Sequence, residues 1–306
     1  MDAAEVLALL VRAALGATAA LALIPLLRRP LRRAFGPSIA YGVWALLPAM
    51  TVAAAFSRPT ALLDAPPALQ ALSGPMSTTG MSAVMPQSVL SIELLFVGLW
   101  AAGVLAFVAL RVAEQWRWRR RLGPLRRVEG RIAVATSDAS LPALVGWPRA
   151  CVVLPDDFAQ RFTASEQALV LAHERRHLTR GDLHAQFLLE ALRALLWFHP
   201  LLPWASRALR HDQELACDAD VLRAQPDDRT DYARALLRAT AVPLPPLATA
   251  WGSTHPLKER LAMLQQTPLS PRVRRIGVAA IFALIIFASA VAWAALPRAS
   301  GATGPM

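Results

Sequence analysis

The sequence predicts an α-helical membrane protein with four transmembrane helices and a mainly α extramembrane domain that contains a small β element. Two observations support this fold class. Hydrophobic residues make up 55% of the 306 residues, and they are concentrated in four runs that are each about as long as a bilayer is thick. Between the third and fourth runs, residues 125–266 mix polar and apolar positions as a water-exposed domain does.

The four predicted spans are separated by polar or arginine-rich connections. Their bounds are about 6–27, 38–56, 89–110 and 276–296. Pro48 lies within the second run, and membrane helices tolerate an internal proline. Residues 57–88 are rich in Pro, Ser, Thr, Met and Gly and predict an extracytoplasmic loop, and residues 297–306 predict a short tail on the same side.

Arginine supplies almost all of the net charge of +11, and its placement predicts the topology. Basic clusters flank the spans at 28–33, 111–127 and 272–275, whereas the remaining connections carry only Arg58 and Arg298. Because basic residues mark cytoplasmic loops, we predict a multi-pass protein of the inner (cytoplasmic) membrane with its N-terminus outside. Residues 1–110 and 276–296 then form the membrane region, and residues 111–275 form a cytoplasmic domain. The basic charge is explained by topology and by contact with the lipid bilayer, so we expect no direct nucleic-acid binding.

The extramembrane domain changes from strand-like to helix-like patterns along its length. Short β-branched runs at 131–136 and 151–154 predict two strands, joined by a loop or hairpin connection at 141–148. Helical patterns then follow to the end of the domain. They cover about 164–180, 183–198, 203–224, 229–241 and 256–266.

The first of these helices carries the pattern H-E-x-x-H, formed by His173, Glu174 and His177. Residues four apart lie on one face of a helix, so both imidazoles can reach one ion. Imidazole and carboxylate ligands suit Zn²⁺, and Glu174 is placed to act as the general base on a water at that ion. A capping box from Thr163 to Glu166 supports the helix. The alternative is a surface helix with two incidental histidines.

A zinc site usually needs a third protein ligand, and several downstream groups qualify. We choose Glu214, on the helix predicted at 203–224, as that ligand. Asp218 lies one turn further on and is spaced to accept a hydrogen bond from a ligand histidine. These acids could instead form a solvated face paired with nearby arginines. The other candidates are His184, His199, His211, Asp212 and Asp182.

Three further residues near Glu214 have candidate roles. Cys217 could supply a zinc thiolate, although a small buried packing residue is the preferred interpretation. His211 and Arg210 could stabilise the oxyanion of a tetrahedral intermediate.

Several segments of the chain resemble the BlaR/MecR-type membrane metallopeptidases (metallopeptidase family fifty-six). The segments are HERRHLTRGD at 173–182, WFHPL at 197–201, DQELACD at 212–218, GWPRACVVLP at 146–155 and PLKERL at 256–261. The resemblance covers most of the chain. It implies a gluzincin-like zinc metallopeptidase domain in which two histidines and a glutamate hold Zn²⁺ and the motif glutamate is the catalytic base.

The best-known members of that family carry a penicillin-binding sensor after the last span. Only about ten residues follow position 296 here, and no Ser-x-x-Lys site lies in a suitable place. We therefore expect no such sensor and do not carry over the β-lactam response. The input would come through the loop 57–88, the spans or a partner.

The predicted function is zinc-dependent endopeptidase activity on a cytoplasmic protein, in regulatory proteolysis of a repressor or of the chain itself. Homo-oligomerisation is left open. One alternative is a membrane metalloprotease of the HtpX or CAAX-processing type, which also combines H-E-x-x-H with a later glutamate. The other is a non-catalytic membrane signalling protein with a structural zinc site.

Overall fold

The computed structural model describes residues 2–56, 87–136, 142–146, 149–240, 255–266 and 269–295. The predicted tail 297–306 and most of the predicted loop 57–88 lie outside these residues. Helices dominate the described part of the chain. They are α1 (Ala3–Phe35), α2 (Pro37–Ala40), α3 (Leu46–Ala55), α4 (Gln87–Arg121), α5 (Phe158–Arg161), α6 (Ala164–Arg180), α7 (Asp182–Leu195), α8 (Leu202–Ala224), α9 (Arg229–Thr240), α10 (His255–Met263) and α11 (Pro271–Ala295).

Four of the described helical segments are long and apolar enough to cross a bilayer. They are Ala3–Phe35, Pro37–Ala55, Ile92–Arg121 and Pro271–Ala295. Each contains most of one predicted apolar run, but α1 and α4 continue for about two or three turns into arginine-rich sequence. Arginine is a good helix former, so a helix does not have to end where its apolar run ends.

The connection between the first two spans is a tight turn. Gly36 has φ of 79°, a conformation that favours glycine, and Pro37 begins the next helix. The second span is not one continuous α-helix, because a 3-10 turn at Tyr41–Ala45 separates α2 from α3. Pro48 has no N–H to donate to the carbonyl of Trp44, which is consistent with irregular helix at this point.

The four described strands form one sheet in the order β1–β2–β4–β3. The strands are β1 (Leu125–Glu129), β2 (Ile132–Ala135), β3 (Ala143–Val145) and β4 (Cys151–Pro155). The sequence predicted β2 and β4, which pair in parallel, but it missed the two edge strands. Strand β1 is mostly exposed and charged, and β3 has three residues within the segment predicted as a loop or hairpin connection, so neither has a strong apolar pattern.

Four apolar clusters lie in the described part of the chain, and two of them position the helices discussed below. In one, helix α6 packs between the sheet and α9, and Val170, Leu154 and Ala235 belong to the same cluster. In the other, α1, α3 and α11 pack together, and side chains from α7 and α8 join the same cluster. Helices α7 and α8 therefore belong to the core of the apolar helices as well as to the domain that carries H-E-x-x-H.

Candidate metal centre

Helix α6 presents His173 and His177 on one buried face. The predicted capping box is present, because Thr163 Oγ1 accepts from the Glu166 amide and Glu166 accepts from the Thr163 amide. The helix ends at Gly181, whose φ is 73°. The two imidazole Nε2 atoms are 3.1 Å apart, so both rings point at one place.

Helix α8 brings Glu214 to the same place. Its carboxylate straddles the two histidines, with one oxygen 3.4 Å from Nε2 of His173 and the other 3.4 Å from Nε2 of His177. Donors about 2.0–2.2 Å from a tetrahedral zinc ion would be about 3.3–3.6 Å apart. The two imidazoles and the carboxylate therefore fit a zinc ion closely in both chemistry and spacing.

Cys217 is a second possible third ligand. It is fully buried, and donor atoms of His173, His177 and Cys217 lie within 4.8 Å of one another. Burial raises the pKa of the Cys217 thiol. Because metals bind the thiolate, a raised pKa disfavours this ligand in the metal-free protein.

The pKa of the Glu214 carboxyl is shifted in the opposite direction. Burial alone would raise its pKa, but Arg260, His177 and His173 together hold it well below the usual range. Nη1 of Arg260 lies 3.0 Å from Glu214. Glu214 is therefore ionised and ready to bind a cation.

His173 is oriented by a buried hydrogen-bonded chain behind the ring. Its Nδ1 lies 2.7 Å from the Tyr232 hydroxyl and 3.3 Å from Asp218, and that hydroxyl donates to Asp218 at 2.7 Å. Burial and the charge of Asp218 raise the pKa of Tyr232 well above its usual value, so the hydroxyl keeps its proton. The predicted contact between Asp218 and a ligand histidine is present.

Asp218 is held in turn by Arg260 from helix α10. The guanidinium makes two hydrogen bonds to the carboxylate, at 2.7 and 2.8 Å. Burial alone would raise the pKa of Asp218, but Arg260 lowers it to about 2. The sequence did not predict the roles of Tyr232 and Arg260, because no local spacing connects them to H-E-x-x-H. Arg260 lies in the segment 256–261, which resembles the family but indicates no role for this residue.

Asp182, considered above as a ligand, lies behind the other histidine. Its carboxylate is 2.6 Å from Nδ1 of His177, on the ring edge away from Glu214. A carboxylate in this position fixes the ring so that Nε2 is free for a metal. The turn at Gly181 places Asp182 at the start of α7, directly beside the motif helix.

Glu174 is buried beside this cluster, with 8% of its surface exposed. Within the part of the chain that the structure describes, its side chain has no hydrogen-bond or ion-pair partner. A carboxylate without such a partner is available to hydrogen-bond a substrate or a water. The chemistry predicted for Glu174 needs that availability.

Four of the other candidates are engaged elsewhere. Nε2 of His211 lies 2.6 Å from Glu259, and Arg210 lies 3.9 Å from Glu190. Asp212 accepts from the Trp44 indole at 2.8 Å, and Nε2 of His199 is 3.0 Å from the Thr18 hydroxyl. The structure therefore brings His173, His177, Glu214 and Asp218 together and gives His211 and Arg210 carboxylate partners outside that group.

A family model and a curated protein are similar to this chain. The family model described as BlaR1 peptidase M56 matches residues 8–264. The regulatory protein BlaR1 of Bacillus licheniformis is 30% identical over 102 residues, which are 33% of this chain and 17% of that protein. The aligned part thus spans less than a fifth of the relative's length. Because the family match covers most of the chain, including the motif helix and Glu214, the chain belongs to the BlaR1 peptidase M56 family.

Proposed function

We propose that this chain is a membrane-embedded, zinc-dependent endopeptidase that cleaves a cytoplasmic protein. The proposal rests on two Nε2 atoms and one ionised carboxylate that meet at one place. Glu174 is buried beside them and has no hydrogen-bond or ion-pair partner among the described residues. Four apolar helices and membership of the M56 family indicate a membrane protein and a peptidase. The family match also favours this function over the HtpX or CAAX-processing alternative.

We assign His173, His177 and Glu214 as the zinc ligands. Glu214 contacts both imidazoles at 3.4 Å, and its lowered pKa leaves it in the form that binds a cation. Burial raises the pKa of the Cys217 thiol, which disfavours the thiolate in the metal-free protein. Three protein ligands leave a fourth position for water, which is the arrangement of catalytic zinc sites. When bound there, zinc would acidify a water and polarise the carbonyl of the scissile bond.

Glu174 is the proton carrier in this proposal. Its carboxylate takes a proton from the attacking water and delivers it to the amine that leaves when the C–N bond breaks. Asp182 and the Asp218–Tyr232 pair hold the Nδ1 side of each imidazole, which would keep both Nε2 atoms turned toward a bound metal. Arg260 offsets the negative charge of Glu214 and Asp218, which stabilises two neighbouring carboxylates.

The predicted topology places this centre at the cytoplasmic face of the inner membrane. The arginine-rich ends of α1 and α4 support that orientation. The similar protein from Bacillus licheniformis is named a regulatory protein. By that likeness we propose regulatory proteolysis, with a transcriptional repressor or the chain itself as the substrate.

The decisive experiment compares the full chain with its Glu174→Gln variant, after purification in detergent or nanodiscs. We expect about one zinc per chain by elemental analysis in both proteins, and cleavage only in the wild type. Quantitative proteomics of cells that carry each form would identify the substrate by fragments that depend on Glu174. Glu129→Gln, at an exposed position of β1, is the matched control and should behave as wild type.

Two results would overturn the proposal. One is a purified wild-type chain that binds no zinc. The other is a zinc-loaded Glu174→Gln variant that cleaves as well as wild type, which would favour a signalling protein with a structural metal.

A further inference from the structure

The tip between helices α7 and α8 touches two apolar spans well inside their length. The tip comprises residues 196–201. On one side, Nε2 of His199 lies 3.0 Å from the hydroxyl of Thr18 in α1. On the other, the indole of Trp100 in α4 donates to the carbonyl of Leu195 at 2.8 Å. Neither Thr18 nor Trp100 is near the arginine-rich end of its helix.

Two ion pairs mark where charged residues begin on the spans, and they give a measure of how far the tip lies from that level. Arg28 of α1 pairs with Asp212 at 3.3 Å, and Arg111 of α4 pairs with Glu190 at 3.5 Å. At 1.5 Å per residue, Thr18 lies about 15 Å along α1 from Arg28, and Trp100 about 16 Å along α4 from Arg111. On α8, ten residues separate Leu202 from Asp212, which is again about 15 Å. Along these three helices the distance is about half of a hydrocarbon core that is about 30 Å thick. Along α7 the spacing is shorter, because Glu190 lies about 8 Å from Leu195. The tip therefore lies about 8–16 Å from the charged groups, measured along the helices.

The sequence around the tip is apolar enough to lie inside a bilayer. Residues 194–206 contain no aspartate, glutamate, lysine or arginine. Large apolar side chains are exposed on helix α7 and at the tip. They are Phe187, Leu188, Leu195, Trp197, Phe198 and Leu201, each at least 40% exposed. They continue the exposed apolar surface of α4, where Leu99 is 63% exposed.

Several polar atoms of the tip have partners supplied by the protein. Thr18 donates its own proton to the Ala14 carbonyl, so its oxygen accepts from Nε2–H of His199. The other ring nitrogen of His199 then accepts the Leu201 amide at 3.3 Å. The Trp197 indole donates to the Trp100 carbonyl. Non-helical backbone is tolerated at bilayer depth only where the protein satisfies its polar groups in this way.

Close packing against α4 adds a steric feature. The Trp197 ring lies so near Gly103 that a Cβ added there would come within 2.5 Å of ring atoms. Gly103 is therefore a docking position for the tip, in the middle of the third span.

We propose that α7, the 196–201 tip and the first part of α8 form a re-entrant hairpin whose exposed face contacts lipid acyl chains, with the tip inside the hydrocarbon core of the bilayer. The partner is the hydrocarbon of the membrane. This part of the predicted cytoplasmic segment 111–275 then lies within the bilayer, and helix α8 runs from there to the metal centre. The proposal does not depend on peptidase activity.

The test measures depth in the full chain reconstituted into phosphatidylcholine–phosphatidylglycerol vesicles. A bimane label is attached through Phe198→Cys in a Cys151→Ser background, and is exposed to lipids with a nitroxide in the headgroup or at carbon 12 of the acyl chain. We expect several-fold stronger quenching by the acyl-chain nitroxide and almost none by aqueous iodide. Leu201→Cys gives an independent second site should Phe198→Cys fail to fold.

Two matched positions calibrate the result. Leu99→Cys labels an exposed apolar residue at the same depth on α4, and Val128→Cys labels an exposed apolar residue on strand β1. Labels at 198 and 201 should match the label at 99. The proposal is overturned if they match the label at 128 and respond to iodide. Protection from both quenchers would also overturn it, because protein rather than lipid would then cover the hairpin.

Discussion

The two halves of helix α8 lie in opposite surroundings. From Leu202 to Leu209 the helix packs through small and apolar side chains into the core shared with α1, α3 and α11. From Asp212 to Asp220 the buried positions include three carboxylates and a glutamine, held by bonds to other elements. The hydrophobic effect in the first half has no preferred direction, so this half tolerates apolar substitutions of similar volume. Hydrogen bonds and charges in the second half depend on exact donors and acceptors, so the two halves should respond differently to substitution.

The largest effect is expected at the metal-binding end. Glu214→Ala removes the carboxylate that contacts both histidines, so bound zinc and proteolysis should both be lost. Cys217→Ala, three residues away, should keep about one zinc per chain by elemental analysis. The reverse pattern would identify Cys217 as the third ligand and contradict the assignment of Glu214.

The second effect tests the apolar half of α8. Leu202 is 1% exposed, and Leu202→Ala should lower the free energy of unfolding by about 2–5 kcal/mol because it leaves a cavity. Leu202→Met keeps the volume and should cost less than about 1.5 kcal/mol. Unfolding in mild detergent would measure both. The folded fraction of each variant should bind zinc as wild type does, and weaker binding would mean that the two halves are coupled.

A smaller effect is expected behind the metal ligands. Asp218→Asn keeps the shape but loses the charge that orients His173, so zinc affinity should fall by about 10–100-fold. Competition with a fluorescent chelator would measure it. Tyr232→Phe leaves Asp218 in contact with His173 and should weaken binding less. Equal affinity in wild type and Asp218→Asn would mean that the carboxylate has no orienting role.

The smallest effect is expected at the junction of the spans with the metal centre. Arg32 pairs with Glu259, the residue before Arg260, but the Glu259 side chain is 43% exposed. Since solvent screens such pairs, Arg32→Gln should change the free energy of unfolding by no more than about 1 kcal/mol. Arg33→Gln is the control on the same helix. A large loss of activity with unchanged stability would indicate that the junction transmits a signal from the spans.

Local sequence patterns predicted a large part of this structure. The helix α6 was predicted to its observed bounds, 164–180, because its capping box and Gly181 are local signals. The pairing of His173 with His177 follows from helix geometry alone. The edge strands β1 and β3 were missed because their stability comes from neighbours in the sheet and not from their own apolar pattern.

The sequence by itself determined the four apolar helices, the H-E-x-x-H helix and the family, since each depends on residues close together in the chain or on motifs of fixed order. Only the tertiary structure decided what surrounds them. Arg260 meets Asp218 across 42 residues, and Thr18 meets His199 across 181. Such contacts depend on how helices pack, and no periodicity along the chain specifies that packing. The same packing gives α8 its two halves, one among apolar helices and one at the metal centre.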